Sequence, residues 1–158
     1  MARLESNAKM GYFPTPQHTL SRILDWIAFE RPAGSKGNHI LDPCCGTGKA
    51  LQDFHLRDPG ITTYGVELDA RRAVEARETL RNAVHGSIFD ARINPLGSMG
   101  LLYLNPPYDW DDGERLEMKF LKHAYKNQIL RNFLLQNQNP NHDFVIGSHR
   151  HRQIALLC

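Results

Sequence analysis

Apolar residues fall in short runs along most of this chain, and several runs stop at an acid or an amide. Leu20, Ile23, Leu24 and Ile27 stand at helical spacing and predict a helix with one apolar face, ended by Arg31-Pro32-Ala33-Gly34. His39-Ile40-Leu41 reads as a short strand that stops at Asp42-Pro43. A turn through Cys45-Gly46-Thr47-Gly48 follows, then a helix from Lys49 to Leu56. Thr62 to Val66 is β-branched and aromatic and predicts a second strand, which ends at Glu67-Leu68-Asp69 before a helix-forming stretch from Ala70 to Asn82. A weaker strand is expected near Val84 to Ile88, ahead of Phe89-Asp90, and another from Leu101 to Leu104. After Asp109-Trp110-Asp111-Asp112-Gly113, read as a solvated loop, a helix from Glu114 to Tyr125 carries Leu116, Phe120, Leu121 and Ala124 on one side.

Strands that alternate with helices predict an α/β fold. Parallel neighbours need long crossovers, so the sheet is expected to be mostly parallel with helices on both faces. Ligands of such sheets sit at the carboxyl ends of the strands. Asp42, Glu67, Asp90 and Asn105 are all expected at such ends.

The most informative stretch is Asn105-Pro106-Pro107-Tyr108. Two consecutive residues without a backbone N–H stop the strand, and the residue before a proline is held extended. An amide, a rigid carbonyl and an aromatic ring therefore project from one strand end, a preformed pocket for a planar amine. Taken alone, the same four residues also suit a rigid turn with a half-buried tyrosine.

The turn after Asp42 is open to three nucleotide-binding readings, and spacing separates them. A P-loop needs a glycine where Pro43 stands and a hydroxyl where Ala50 stands. A dinucleotide fingerprint needs a third glycine at Leu51. What remains is a two-glycine turn, Gly46 and Gly48, preceded by an acid that would repel phosphate and attract an ammonium or sulfonium. Glu67, nineteen residues after Gly48, stands where a carboxylate can accept from ribose hydroxyls. S-adenosylmethionine has all of these features.

Composition changes the picture little. The 158 residues are 41% hydrophobic and 23% charged, one domain by length with a core that can bury about two-thirds of its surface. No run reaches the roughly 18 apolar residues of a membrane span, and the start is too polar for a signal peptide, so a cytoplasmic protein is expected. A net charge of +2 and a pI near 8.5 permit contact with nucleic acid without arguing for it. Three cysteines, two of them adjacent at Cys44 and Cys45, fit reduced packing residues rather than a disulfide framework or a zinc site, and no metal is expected.

In these motifs the chain resembles the class I S-adenosylmethionine-dependent amino-methyltransferases that modify adenine N6 in DNA, over residues 9 to 126. Lys9 to Pro16 is similar to the family's cofactor segment, Asp42 to Gly48 to its glycine-rich motif and Gly65 to Asp69 to its ribose-binding strand. Asp90 is similar to its adenine-contacting acid and Asn105 to Tyr108 to its catalytic motif. The order is that of the gamma-type enzymes. The resemblance implies a Rossmann-like domain over residues 1–126, with S-adenosylmethionine as cofactor and DNA as partner. The cofactor would be held by Tyr12, Thr15 and Pro16, by Asp42, Pro43, Cys45, Gly46 and Gly48, by Glu67, Leu68 and Asp90, and by Asn105. It also implies a catalytic role for Asn105, Pro106, Pro107 and Tyr108. In it Thr15 contacts the methionine carboxylate, Asp42 the methionine portion, Glu67 the ribose, and Asp90 the adenine amine beside Ile88 or Phe89. The same motif recurs in relatives acting on ribosomal RNA bases or protein glutamine, and the Pro14-Thr15-Pro16 segment favours DNA adenine.

The end of the chain departs from that pattern. The last 32 residues hold five Asn and four Gln against one Asp and no Glu, with a single expected strand at Phe144-Val145-Ile146 and a basic ending at His149 to Arg152. A sheet lacking later strands leaves an exposed edge. The tail, a second subunit or a partner would cover it, or the chain is a truncated form. A second reading is therefore a cofactor-binding module that is catalytically weak or completed by a partner.

Overall fold

The structure, a computed structural model, describes residues 12–27, 38–91, 100–107, 110–126, 144–149 and 152–157. Four strands open the sheet in chain order: β1 (Asn38–Asp42), β2 (Ile61–Glu67), β3 (Asn82–His85) and β4 (Gly100–Leu104). Helices α1 (Gln17–Trp26), α2 (Lys49–Arg57) and α3 (Ala70–Thr79) precede or connect them. A two-stranded hairpin, β5 (Trp110–Asp111) and β6 (Glu114–Arg115), leads into α4 (Leu116–Lys126). Near the end stand β7 (Phe144–His149) and β8 (Arg152–Leu157).

The strand order is β3-β2-β1-β4-β8-β7, with every neighbouring pair parallel except β7 and β8. The chain runs outward from β1 to β3 and then crosses to the other side of β1 to lay down β4. That reversal opens a crevice between the carboxyl ends of β1 and β4, where open α/β sheets bind ligands.

Alternation along each strand sorts the core into two layers, since successive side chains point to opposite faces. Ile40, Leu101 and Tyr103 pack with Leu20 and Ile23 of α1, Leu51 and Phe54 of α2 and Ala76 of α3. Leu41, Val66, Leu102 and Leu104 pack on the other face with Ile88 and with Phe120 and Ala124 of α4. The expectation of helices on both faces holds. Asp42, Glu67 and Asn105 share strand parity with Ile40, Ile61 and Tyr103, so all three belong to the first layer.

Several boundaries differ from the sequence expectation. The helix expected to reach Asn82 stops at Thr79, because Leu80 turns extended and Asn82 joins β3, its amide donating to the Thr63 carbonyl at 3.1 Å. The strand expected near Val84 to Ile88 therefore lies earlier. Around Trp110 a hairpin replaces the expected loop: Asp112 and Gly113 both take positive φ, 51° and 77°, as a two-residue hairpin turn requires. At the chain end there are two strands rather than one, and β8 pairs with the edge of β4 that the composition of the tail left open. His149 and Arg152, read as part of a basic tail, face each other in the register of that hairpin. Arg31 to Gly34, expected to end the first helix, lies outside the described residues; the helix ends at Trp26.

Candidate functional site

β1 delivers Asp42 to the crevice, and the chain turns at once through Pro43 and Cys44. Asp42 is 3% exposed, and its Oδ1 accepts from the Cys44 amide at 2.9 Å. Burial pushes its carboxyl up to about 7, against which the Cys44 hydrogen bonds act, while the nearby Glu67 charge pushes it further up. Asp42 thus holds its proton to a far higher pH than an ordinary aspartate, and a cation placed beside it would be stabilised by its ionised form.

The glycine turn is built around Glu67. Gly46 takes φ +58°, and its amide donates to Glu67 Oε2 at 2.8 Å. A Cβ at Gly46 would stand 2.3 Å from the Tyr12 ring, so the aromatic ring lies directly on the turn. Gly48, at φ +81°, is the N-cap of α2 and packs against Leu80 instead. Glu67 Oε1 accepts from the Asp69 amide at 2.8 Å and from Arg72 Nε and Nη2 at 3.2 and 2.9 Å. The Arg72 guanidinium in turn sits 4.6 Å above the Tyr12 ring. Three of these four bonds crowd onto Oε1 and fill it, which leaves no pair of open sites on the carboxylate for two ribose hydroxyls. Only Oε2, with its single partner among those residues, has capacity for a further donor.

At the end of β4, the Asn105 amide nitrogen donates to the Phe13 carbonyl and to Thr15 Oγ1, both at 3.0 Å. A carbonyl can only accept, so the amide is held with its nitrogen toward the segment ahead of α1 and its oxygen turned away from it. Thr15 Oγ1 also lies 2.5 Å from Tyr103 Oη. Cys44 Sγ donates to the Asn105 carbonyl at 3.2 Å and ties the ends of β1 and β4 together. Burial raises the Cys44 and Cys45 thiols above their ordinary range, with Asp42 adding to both, so they stay protonated at neutral pH and serve packing rather than nucleophilic attack.

These groups line one cavity of about 420 Å³, within the range of small-molecule sites. Of the residues expected from sequence, it brings together Tyr12, Thr15, Asp42, Pro43, Cys45, Glu67, Leu68, Asn105 and Pro107. It does not bring in Asp90, which is exposed on a turn five residues beyond β3; Ile88 and Phe89 face the cavity in its place. Pro16 caps the start of α1, Pro106 is buried at the strand end, and Gly46 and Gly48 shape the turn without lining the cavity. Tyr108 lies outside the described residues. Sequence reasoning missed Arg72, Tyr103, Lys49 and the hairpin residues Trp110 and Asp111, all of which line the cavity. Tyr103 did carry a signal, two residues before Asn105 and hence on the same strand face. The Asp112-Gly113 pair between short segments was a hairpin signal of the same kind.

A mostly parallel sheet with its crevice at this switch point defines a Rossmann-like fold of the methyltransferase type. A type I restriction-modification system methyltransferase subunit from Streptococcus thermophilus superposes with a TM-score of 0.53 at 18% identity, covering 75% of this chain and 32% of the other. A geranyl diphosphate methyltransferase solved with GPP and sinefungin matches less closely, at a TM-score of 0.44 and 20% identity, covering 59% of this chain and 36% of the other. The chain spans about a third of the length of these structures. A search of curated proteins gave no match. The chain belongs to the uncharacterised methyltransferase family DUF6094, whose family pattern matches residues 1–120.

Proposed function

We propose that this chain transfers a methyl group from S-adenosylmethionine to an exocyclic amine, and that the amine is N6 of adenine in DNA. The observation that carries the reading is the placement of the Asn105 amide, with its nitrogen tied to Phe13 and Thr15, in the same cavity as Asp42, Cys45 and Glu67. When bound, S-adenosylmethionine supplies an electrophilic methyl on a sulfonium. The residues present fit that group. Asp42 is a buried carboxylate whose charged form gains from a neighbouring cation, and Glu67 Oε2 can accept one ribose hydroxyl. Ile88, Phe89 and Leu68 give apolar surface for a purine ring, and Thr15 offers a hydroxyl for the methionine carboxylate.

An aromatic exocyclic amine is a weak nucleophile, because its lone pair is delocalised into the ring. A fixed amide oxygen at Asn105, with the Pro106 carbonyl beside it in sequence, accepts hydrogen bonds from its N–H groups and favours pyramidal nitrogen, the kind of preorganised electrostatics that lowers a barrier. The C–S bond of the sulfonium breaks as the N–C bond forms, the demethylated thioether departs, and the extra proton on the methylated nitrogen is lost to solvent. Tyr108, by resemblance, stacks on the base after it leaves the duplex.

A second reading has a specific observation behind it: the Streptococcus thermophilus neighbour is a methyltransferase subunit of a restriction-modification system, and by that likeness target recognition or full activity would reside in a partner subunit. Calorimetric titration with S-adenosylmethionine and its demethylated product, beside labelled-methyl transfer to unmodified DNA, RNA and protein, separates the two. Transfer to DNA supports the enzyme reading. Binding without transfer to any substrate supports the partner-dependent module, and absence of both overturns the two together.

A further inference from the structure

Tyr103 is out of keeping with its strand. β4 is buried on both faces, with Leu101, Leu102 and Leu104 on either side, and Tyr103 itself is 1% exposed, edge-on to Phe54 at 5.6 Å between ring centres. Packing alone would be met by another apolar residue, and a buried phenol needs a partner for its hydroxyl. That partner is Thr15 Oγ1, 88 residues earlier, at 2.5 Å. The same Thr15 oxygen accepts from Asn105 Nδ2. One hydroxyl oxygen therefore sits between a phenol from inside the core and the amide at the strand end. A phenol is the more acidic of the two hydroxyls and the better donor. With both lone pairs of Thr15 Oγ1 taken by Tyr103 and Asn105, the threonine hydrogen is the group's remaining bonding capacity.

We propose that Tyr103 is a positioning residue for methyl transfer, acting through Thr15 to hold the Asn105 amide in its reactive orientation. This deepens the reading of Asn105 as the amine-binding amide and rests on it. Tyr103 is anchored by the core, so it locks the segment ahead of α1 to β4. The residue that faces the methyl donor and the residue that faces the acceptor are thereby set by one hydroxyl.

The test compares Tyr103→Phe, Thr15→Val, Thr15→Ser and the Tyr103→Phe/Thr15→Val double variant at saturating donor. Tyr103→Phe keeps the ring against Phe54 and is expected to lower kcat roughly 10- to 100-fold, the scale of a small misplacement of a reacting group, with the donor Kd little changed. Thr15→Ser should retain most of the rate. The double variant should be no slower than Thr15→Val, because both substitutions break one chain of contacts. An unchanged kcat in Tyr103→Phe, or additive losses in the double variant, overturns the proposal. The side-chain amide NMR signal of Asn105, identified by its loss in Asn105→Asp, gives a readout without turnover. It should shift and lose protection in Tyr103→Phe, and an unmoved signal overturns the relay even if the wild-type protein transfers no methyl group, a result that would count against the proposed function separately.

Discussion

The Gly46 amide and the Glu67 carboxylate meet at 2.8 Å, so the turn after β1 and the end of β2 form one hydrogen-bonded unit. Arg72 closes that unit from the far side by bonding Glu67 and stacking over Tyr12, which itself rests on Gly46. A carboxylate placed to hold a loop acts on stability and on ligand binding together.

Glu67→Ala removes the acceptor for two backbone amides and the partner of a guanidinium whose side chain is only 16% exposed. Breaking a buried pair by deleting one partner costs about 3 kcal/mol or more. A lowered denaturation midpoint is the expected outcome, together with donor binding weaker by about 1.5–3 kcal/mol, the range for a hydrogen bond to a charged group. Calorimetry and denaturant titration check the two effects, and an unchanged midpoint would show that the carboxylate does not hold the turn.

Gly46→Ala places a methyl group into the Tyr12 ring at a positive φ. The backbone conformation alone costs roughly 1–2 kcal/mol for a residue with a Cβ. The Gly46→Ala/Tyr12→Ala double variant should recover the steric part of the loss and none of the backbone part. Thermal melts of the two variants measure the difference, and equal melting temperatures would place Tyr12 elsewhere.

The raised carboxyl of Asp42 makes stability pH-dependent with a definite sign. Between the ordinary aspartate value of 3.8 and about 7, the folded chain holds a proton that the unfolded chain has lost. Stability therefore declines as pH rises through that window, by up to about 1.4 kcal/mol per pH unit for one proton, and levels off on either side. Asp42→Asn should flatten this slope. A bound sulfonium favours the ionised form, so donor binding at pH 6 should release protons, as calorimetry in buffers of different ionisation enthalpy would show.

Asn105→Ala should abolish methyl transfer, with a fall in kcat of about 100-fold or more, the scale for removing one preorganised polar group. Donor affinity should change far less, since Asp42 and Glu67 remain. Transfer at the wild-type rate would eliminate the proposed amine pocket.

Much of the fold was legible because strand and helix periodicities are local. Residues 39–41, 62–66 and 101–104 are short apolar or β-branched runs closed by polar residues, and each lies inside an observed strand. The places of Asp42, Glu67 and Asn105 at strand ends followed from the same pattern. Asp90 did not follow, because β3 ends at His85 and a turn carries Asp90 outward. The end of β3 was obscured by the helix-forming residues before Asn82, and the strand Arg152–Leu157 by the polar composition around it.

By itself the sequence determined the alternation of strands and helices, the proline stop after Asn105 and the acid-and-glycine turn, because each depends on neighbours a few residues apart. Only the tertiary structure decided that Arg72 claims one oxygen of Glu67, that Tyr12 lies on Gly46, and that Tyr103 reaches Thr15 beside Asn105. Two of those contacts join residues far apart in the chain, and the third depends on which way a helix turns its side chain. Local propensity carries no information about either, whereas the crossover from β3 to β4 sets the distances directly.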